Sequence, residues 1–212
     1  MKSYVKLTLV LALLWFVVAL SASALHLFVN ASSRLGGAAA VGAVAPLIVF
    51  FGWFGLSQKF RGFVMSWNPI LLTAAQSWRI VGFTFLLLEA HRGLPAIFAL
   101  PAGYGDMAIG ATATAVAWKL ANSTHRNSFI LWQLLGIADL VTAVALGTTA
   151  GLIDPHGVPM LYMTMLPLSL VPTFLVPLFL IFHVVCIAQA KRWTVPSRPP
   201  HQIATSTPIR QF

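Results

Sequence analysis

Long apolar stretches separated by short polar segments run along the whole chain. Six of them are close to or above the ~20 residues that a helix needs to cross the hydrocarbon core of a bilayer. They are residues 4–28, 38–56, 69–90, 95–118, 128–150 and 160–190. Apolar side chains surround each predicted helix instead of forming one stripe, and none alternates with polar residues as barrel strands do. The pattern predicts an all-α, polytopic transmembrane helix bundle of about six spans, forming one domain over residues 1–192.

Composition supports lipid as the main solvent of this chain. Hydrophobic residues make up 58% of it, charged residues 8%, and the mean hydropathy is +0.86. Soluble domains carry about 25% charged residues. A soluble fold of 212 residues could not bury so much apolar surface. We therefore expect a multi-pass protein of the cell (inner or plasma) membrane, with the lipid bilayer as its main partner.

Basic residues in the polar segments predict the orientation. Ten lie in alternate segments on one side, and only Arg34 and Arg92 on the other. The ten are Lys2, Lys6, Lys59, Arg61, Lys119, Arg126, Lys191, Arg192, Arg198 and Arg210. Because cytoplasmic loops carry the excess of Lys and Arg, both ends should be cytoplasmic. The last segment, residues 193–212, is rich in Pro, Ser and Thr, and we expect a disordered cytoplasmic tail.

The net charge of +9 does not indicate nucleic-acid binding, since the basic residues lie in short gaps instead of one aromatic-rich cluster. Anionic lipid head groups are the expected counterpart. The single cysteine, Cys186, excludes a disulfide framework and a cysteine-based zinc site within one chain.

The first apolar stretch has a second interpretation. Lys2, Lys6, an apolar run and Ala22-Ser23-Ala24 are also typical of a cleaved signal peptide, which would leave five spans. We favour retention because the apolar run continues to Phe28.

Three ionisable residues lie near the centres of predicted spans, namely Arg79, Asp106 and Asp139. The other acids, Glu89 and Asp154, fall at span ends. A charge at the bilayer centre costs about 2.5–3.5 kcal/mol on insertion scales, so such residues usually face the protein interior and pair.

Counting residues predicts one depth for these charges. Asp106 lies 12 residues before Trp118, and Asp139 lies 11 residues after Ser128. Because the fourth and fifth spans run antiparallel and a helix rises about 1.5 Å per residue, both carboxylates should reach nearly the same level. Across the tight turn between the third and fourth spans, Arg79 should reach it too.

Small residues surround both aspartates. Residues 103–110 and 136–143 share the pattern G-x-[GA]-D-x-x-x-[GA], which places a small residue three before and four after each Asp on the same helix face. Small residues allow close helix approach in membranes, so each Asp should lie between helices. Gln76, Gln133 and Thr142 are candidate hydrogen-bond partners for the cluster.

Charge counting gives the leading functional hypothesis. One guanidinium with two ionised carboxylates carries a net −1, which burial disfavours, so one aspartate should bind a proton. This arrangement suits a small-solute or ion carrier with proton coupling through Arg79, Asp106 and Asp139. The alternative is a non-transporting membrane module that binds a partner protein, lipid or lipophilic cofactor, with the charges as a structural helix lock.

Other chemistry has weaker support. Nucleophile-elbow, metalloprotease and Walker patterns are absent, and no soluble domain is large enough for an enzyme, so we favour a non-enzymatic function with no cofactor. An intramembrane hydrolase using Asp106 and Asp139 is the third class. His26, His91 and His156 could bind metal only if three loops converged, so we predict no metal site. Pro167, Pro172 and Pro177 predict a kinked last span. Oligomeric state and substrate are not predicted.

Overall fold

The computed structural model describes residues 2–29 and 37–194, and these residues form helices and turns with no strand. The predicted all-α helix bundle is therefore confirmed. Residues 195–212 and Arg34 lie outside the described residues, so most of the predicted disordered tail does too. The α-helices are α1 (Lys2–Ala24), α2 (Gly37–Leu56), α3 (Gln58–Val64), α4 (Pro69–Ala74), α5 (Phe83–Ala90), α6 (Ala96–Lys119), α7 (Arg126–Ile153) and α8 (Val176–Ala190).

Five helical segments are long and apolar enough to cross a membrane. They are Tyr4–Ala24, Ala38–Leu56, Pro69–Ala90, Arg126–Ile153 and Val171–Ala190. Large apolar side chains such as Leu13, Val41 and Ile48 are exposed on their outer surfaces, as expected where lipid is the solvent. The chain is thus a membrane protein.

The sixth predicted span differs from the other five. It forms α6, whose 24 residues are long enough to cross a bilayer, but Asp106, Pro101 and three glycines make it less apolar. This helix packs against α4, α5 and α7 and buries a row of small residues, including Ala99, Ala102 and Ala113. The count of six spans stays a prediction, with five supported by length and composition.

The last span is shorter than predicted. Residues 160–190 do not form one helix: a 3₁₀ turn covers Leu161–Thr164, a π-helical turn covers Val171–Leu175, and α8 follows. Pro167, Pro172 and Pro177 lack the N–H that a regular helix needs, which explains the interruption. The spanning segment begins at Val171, so its thirteenth residue is His183. That residue lies deeper in the bundle than a span starting at residue 160 would imply.

A short amphipathic helix connects the second and third spans, where the sequence predicted only a polar gap. In α3, the Ser57 hydroxyl accepts from the backbone N–H of Phe60 at 3.2 Å and begins the helix. Phe60 and Phe63 are buried, and the Phe60 ring stacks on Trp53 with centroids 3.8 Å apart. The aromatic cluster fixes the end of α2 beside α8.

Candidate functional site

The third span changes its winding where Arg79 lies. Between α4 and α5, residues Ala75–Gly82 form a 3₁₀ helix of eight residues, longer than the three or four that are usual. Its buried residues are Gln76, Arg79 and Gly82, each three apart. Three residues complete one 3₁₀ turn but fall about 60° short of one in an α-helix. The tighter winding therefore keeps all three on one side of the segment, facing the other helices of the bundle.

Arg79 joins three helices through one guanidinium. Its Nε donates to Asp106 Oδ1 at 2.7 Å, and its Nη2 donates to Asp139 Oδ2. Its Nη1 faces His183 Nε2 at 3.2 Å and the Gly136 carbonyl at 3.4 Å. The Arg79 side chain is 1% exposed, whereas the two carboxylates are 13% and 14% exposed. The guanidinium is thus buried and bonded on every side, and each acid keeps a small accessible surface.

Glycines make room for these side chains. A Cβ added at Gly82 would collide with the Asp106 side chain, and one at Gly105 with the Asp139 carboxylate. A Cβ at Gly136 would collide with the His183 ring. Glycine at these three positions therefore leaves the space that the charged and polar side chains occupy.

The flanking small residues lie where the sequence placed them, between helices. A Cβ at Gly103 would lie 2.6 Å from Leu86 Cδ2, and one at Gly110 would overlap the backbone N of Ile80. Gly103 and Gly110 stand three before and four after Asp106 and so bring α6 against the third span. In the second copy of the pattern, Gly136 seats His183.

A chain of buried polar groups leads away from the guanidinium. Arginine has no acceptor, so His183 Nε2 must accept from Arg79 and the imidazole is neutral with its proton on Nδ1. That proton is donated to Gln133 Oε1, and Gln133 Nε2 donates to Thr73 Oγ1 at 3.0 Å. The Thr73 hydroxyl lies 3.7 Å from Cys186 Sγ.

This chain runs toward the end of the bundle where α4 begins. Cys186 Sγ lies 3.9 Å from the carbonyl of Pro69, the first residue of α4. Gln133, Thr73 and His183 are fully buried. From the guanidinium to Thr73 the donors follow one direction, and each of these groups has a hydrogen-bond partner.

A small cavity lies on the other side of Asp106. Its volume is about 70 Å³, and Asp106 is the charged residue in its wall. Most of the lining is apolar and comes from α2, α5, α6, α7 and the segment between α7 and α8; examples are Phe85, Phe98 and Met163. It extends from Asp106 toward the end of the bundle where α7 finishes. The cluster therefore separates an apolar cavity from a polar hydrogen-bonded chain.

Five of the six predicted site residues lie inside the bundle, and one does not. Arg79, Asp106 and Asp139 form a single cluster, and Gln133 joins it through His183. Gln76 donates to the Phe179 carbonyl at 3.3 Å, and its Oε1 has no partner among the described residues. Thr142 is exposed on α7.

His183 and Thr73 belong to the site but were not among the residues predicted from the sequence. In a span of residues 160–190 His183 would lie near one end, whereas the prolines delay the helix and bring it to the level of Arg79. The sequence feature that could have indicated it is a histidine within the apolar last span. Thr73 carried a signal too, since it lies three residues before Gln76.

The three candidate metal-binding histidines lie at exposed positions of the structure. His26, His91 and His156 are exposed, and the described residues contain no group of three or more His, Cys, Asp or Glu side chains able to hold a metal ion. The weaker alternative of a three-loop metal site therefore finds no support in residues 2–29 and 37–194.

Comparison with protein-family models identifies one family. The model described as "Domain of unknown function (DUF8737)" matches residues 35–190, so the chain belongs to this family. The match contains every residue of the cluster and of the polar chain and leaves out α1. Comparisons with curated proteins and with solved structures find no match.

Proposed function

We propose that this member of the DUF8737 family is a proton-coupled carrier for a small solute or ion. The observation that carries the proposal is the position of Asp106. One of its oxygens accepts from Arg79, and the same side chain forms the charged part of the cavity wall. A cation or proton that enters the cavity therefore competes with Arg79 for the Asp106 carboxylate.

The net charge of the cluster favours binding of a proton or a cation at Asp106. Neutral His183 leaves one positive guanidinium against two carboxylates, a net −1 when both are ionised. A proton or a small cation at Asp106 would neutralise this excess. It would also weaken the bond from Arg79 Nε and leave the guanidinium to Asp139, His183 and the Gly136 carbonyl.

The volume of the cavity favours a small solute. About 70 Å³ corresponds to roughly two water molecules at ~30 Å³ each. A hydrated proton, a small monovalent cation or a short amine fits this volume. A drug-sized solute needs about 300 Å³ or more.

Reconstituted vesicles with an entrapped pH indicator test the proposal. A panel of sodium, potassium, ammonium and methylammonium salts is added outside, and proton movement is followed for wild type, Asp106→Asn and Asp154→Asn. Asp154 is exposed at the end of α7, so its variant is a matched control. We expect at least one salt to move protons in wild type and Asp154→Asn and not in Asp106→Asn. Wild-type traces equal to protein-free vesicles for the whole panel would overturn the carrier.

The helix lock is the second candidate, and one observation favours it. Arg79 is buried, and its guanidinium contacts partners from α6, α7 and α8, so the protein itself supplies partners for the cation. A lock predicts that Asp106→Asn lowers the unfolding free energy while wild type moves no protons. A non-transporting module binding a partner protein, lipid or lipophilic cofactor would then be the better description.

A further inference from the structure

A second and much larger cavity lies between α1, α2 and α8. Its volume is about 490 Å³, inside the ~300–1,000 Å³ range of ligand pockets. It shares no lining residue with the cavity beside Asp106. Any ligand it holds is therefore separate from the proposed carrier site.

The shape of this cleft is long and parallel to the helices. On α1, its lining residues extend from Thr8 to Ala22, and on α2 from Gly42 to Trp53. Fourteen residues of helix rise about 21 Å, or some two thirds of a ~30 Å hydrocarbon core. A cleft of this height matches one extended hydrocarbon chain.

The walls of the cleft are apolar except near one end. Trp15 Nε1 is already bonded to the Thr173 carbonyl at 3.0 Å, so neither is free for a ligand. Thr8 Oγ1 is buried and has no hydrogen-bond partner among the described residues. Because that oxygen is covered by protein atoms, the accessible wall is apolar and fits the hydrocarbon part of a ligand.

Basic side chains mark that same end. Lys6 lies two residues before Thr8, and Lys59 comes directly before Phe60, another lining residue. Tyr4 stacks on Phe63 with centroids 5.8 Å apart, which holds the start of α1 against α3. Both lysines are exposed. A phosphate there would meet positive charge, which is worth about 1 kcal/mol per Lys near a membrane surface.

We propose that this cleft binds one acyl chain of an anionic phospholipid, with the head group beside Lys6 and Lys59. The acyl chain of the lipid fills the space between α1, α2 and α8. It therefore attaches α1 to the part of the protein that matches the family.

Lipid retention by the full-length chain tests this site. Detergent-purified, delipidated protein is titrated with phosphatidylglycerol or with phosphatidylcholine of the same acyl chains, and bound lipid is counted by native mass spectrometry. We expect one retained phosphatidylglycerol and at least about five-fold preference over phosphatidylcholine, the ratio for one Lys at 1 kcal/mol. Lys6→Gln with Lys59→Gln should remove the preference and leave the fold intact, since both side chains are exposed.

A cleft-filling variant tests the position of the chain. Ala12 lines the cleft, so Ala12→Phe should reduce retention, whereas Ala111→Phe, at an exposed position on α6, should not. Equal binding of the two lipids by wild type, or equal retention by the two phenylalanine variants, would overturn the proposal. An unchanged melting temperature of Ala12→Phe separates lost binding from lost folding.

Discussion

Replacing Arg79 by lysine keeps the positive charge but removes the three-nitrogen donor geometry of the guanidinium. The substitution tests whether this geometry holds the bundle together. The guanidinium serves Asp106, Asp139, His183 and the Gly136 carbonyl from three nitrogens. A lysine ammonium offers three N–H groups from a single atom, so it cannot reach acceptors on opposite sides. At least one carboxylate and the His183 acceptor should then lose their donor.

The magnitude follows from those lost bonds. A buried hydrogen bond to a charged group contributes about 1.5–3 kcal/mol, and breaking a buried ion pair costs about 3–5 kcal/mol. We expect Arg79→Lys to lower the unfolding free energy by about 3 kcal/mol, measured by tryptophan fluorescence during denaturation in mixed micelles. Arg126→Lys is the matched control, because half-buried Arg126 donates from Nε to the Ala190 carbonyl at 3.0 Å, and we expect it to lose less than about 1 kcal/mol. Equal losses of unfolding free energy in the two variants would refute the role of the guanidinium geometry.

Three further predictions concern the residues around the cluster. Gly110→Ala places a methyl group on the backbone of the third span and should cost about 1–3 kcal/mol of unfolding free energy, whereas Gly52→Ala, with open space around it, should be neutral or stabilising by up to about 1 kcal/mol; equal effects in the same denaturation assay would contradict the close approach. His183→Phe keeps a ring but leaves two buried polar neighbours unpaired, so we expect a loss of about 2–4 kcal/mol, and a wild-type melting temperature in detergent would argue against the polar chain. Asp106→Asn and Asp139→Asn should differ in folded yield by size-exclusion chromatography, because the acid that carries the proton tolerates its neutral isostere; complete loss of folding in both would favour the helix lock.

The sequence alone predicted that the three charges lie at one level, because the level of a residue along a helix depends on few quantities. Short turns join the antiparallel helices that carry Arg79, Asp106 and Asp139, and the helical rise is fixed, so counting residues gives the level of each charge. The glycine pattern around both aspartates added the lateral information, since close helix approach needs small residues.

What the sequence did not predict depends on irregular backbone and on tertiary contacts. The start of the last span at Val171 follows from three prolines whose combined effect local propensity does not specify. The spacing of Gln76, Arg79 and Gly82 becomes meaningful only once the partner helices are known, because an α-helix would spread these residues over about 120°. The short helix Gln58–Val64 depends on burial of Phe60 and Phe63 against other elements, so its polar composition alone indicated a loop.

The 3₁₀ winding of Ala75–Gly82 makes this part of the third span longer than an α-helix of the same residues would be. Eight residues extend about 16 Å at the 3₁₀ rise of ~2.0 Å and about 12 Å at the α-helical rise of ~1.5 Å. Rewinding this segment as an α-helix would draw its two ends about 4 Å closer and turn the side chains of Gln76 and Arg79 about 60° apart. One backbone transition would thus combine a displacement along the helix axis with a rotation of Arg79 relative to Gln76.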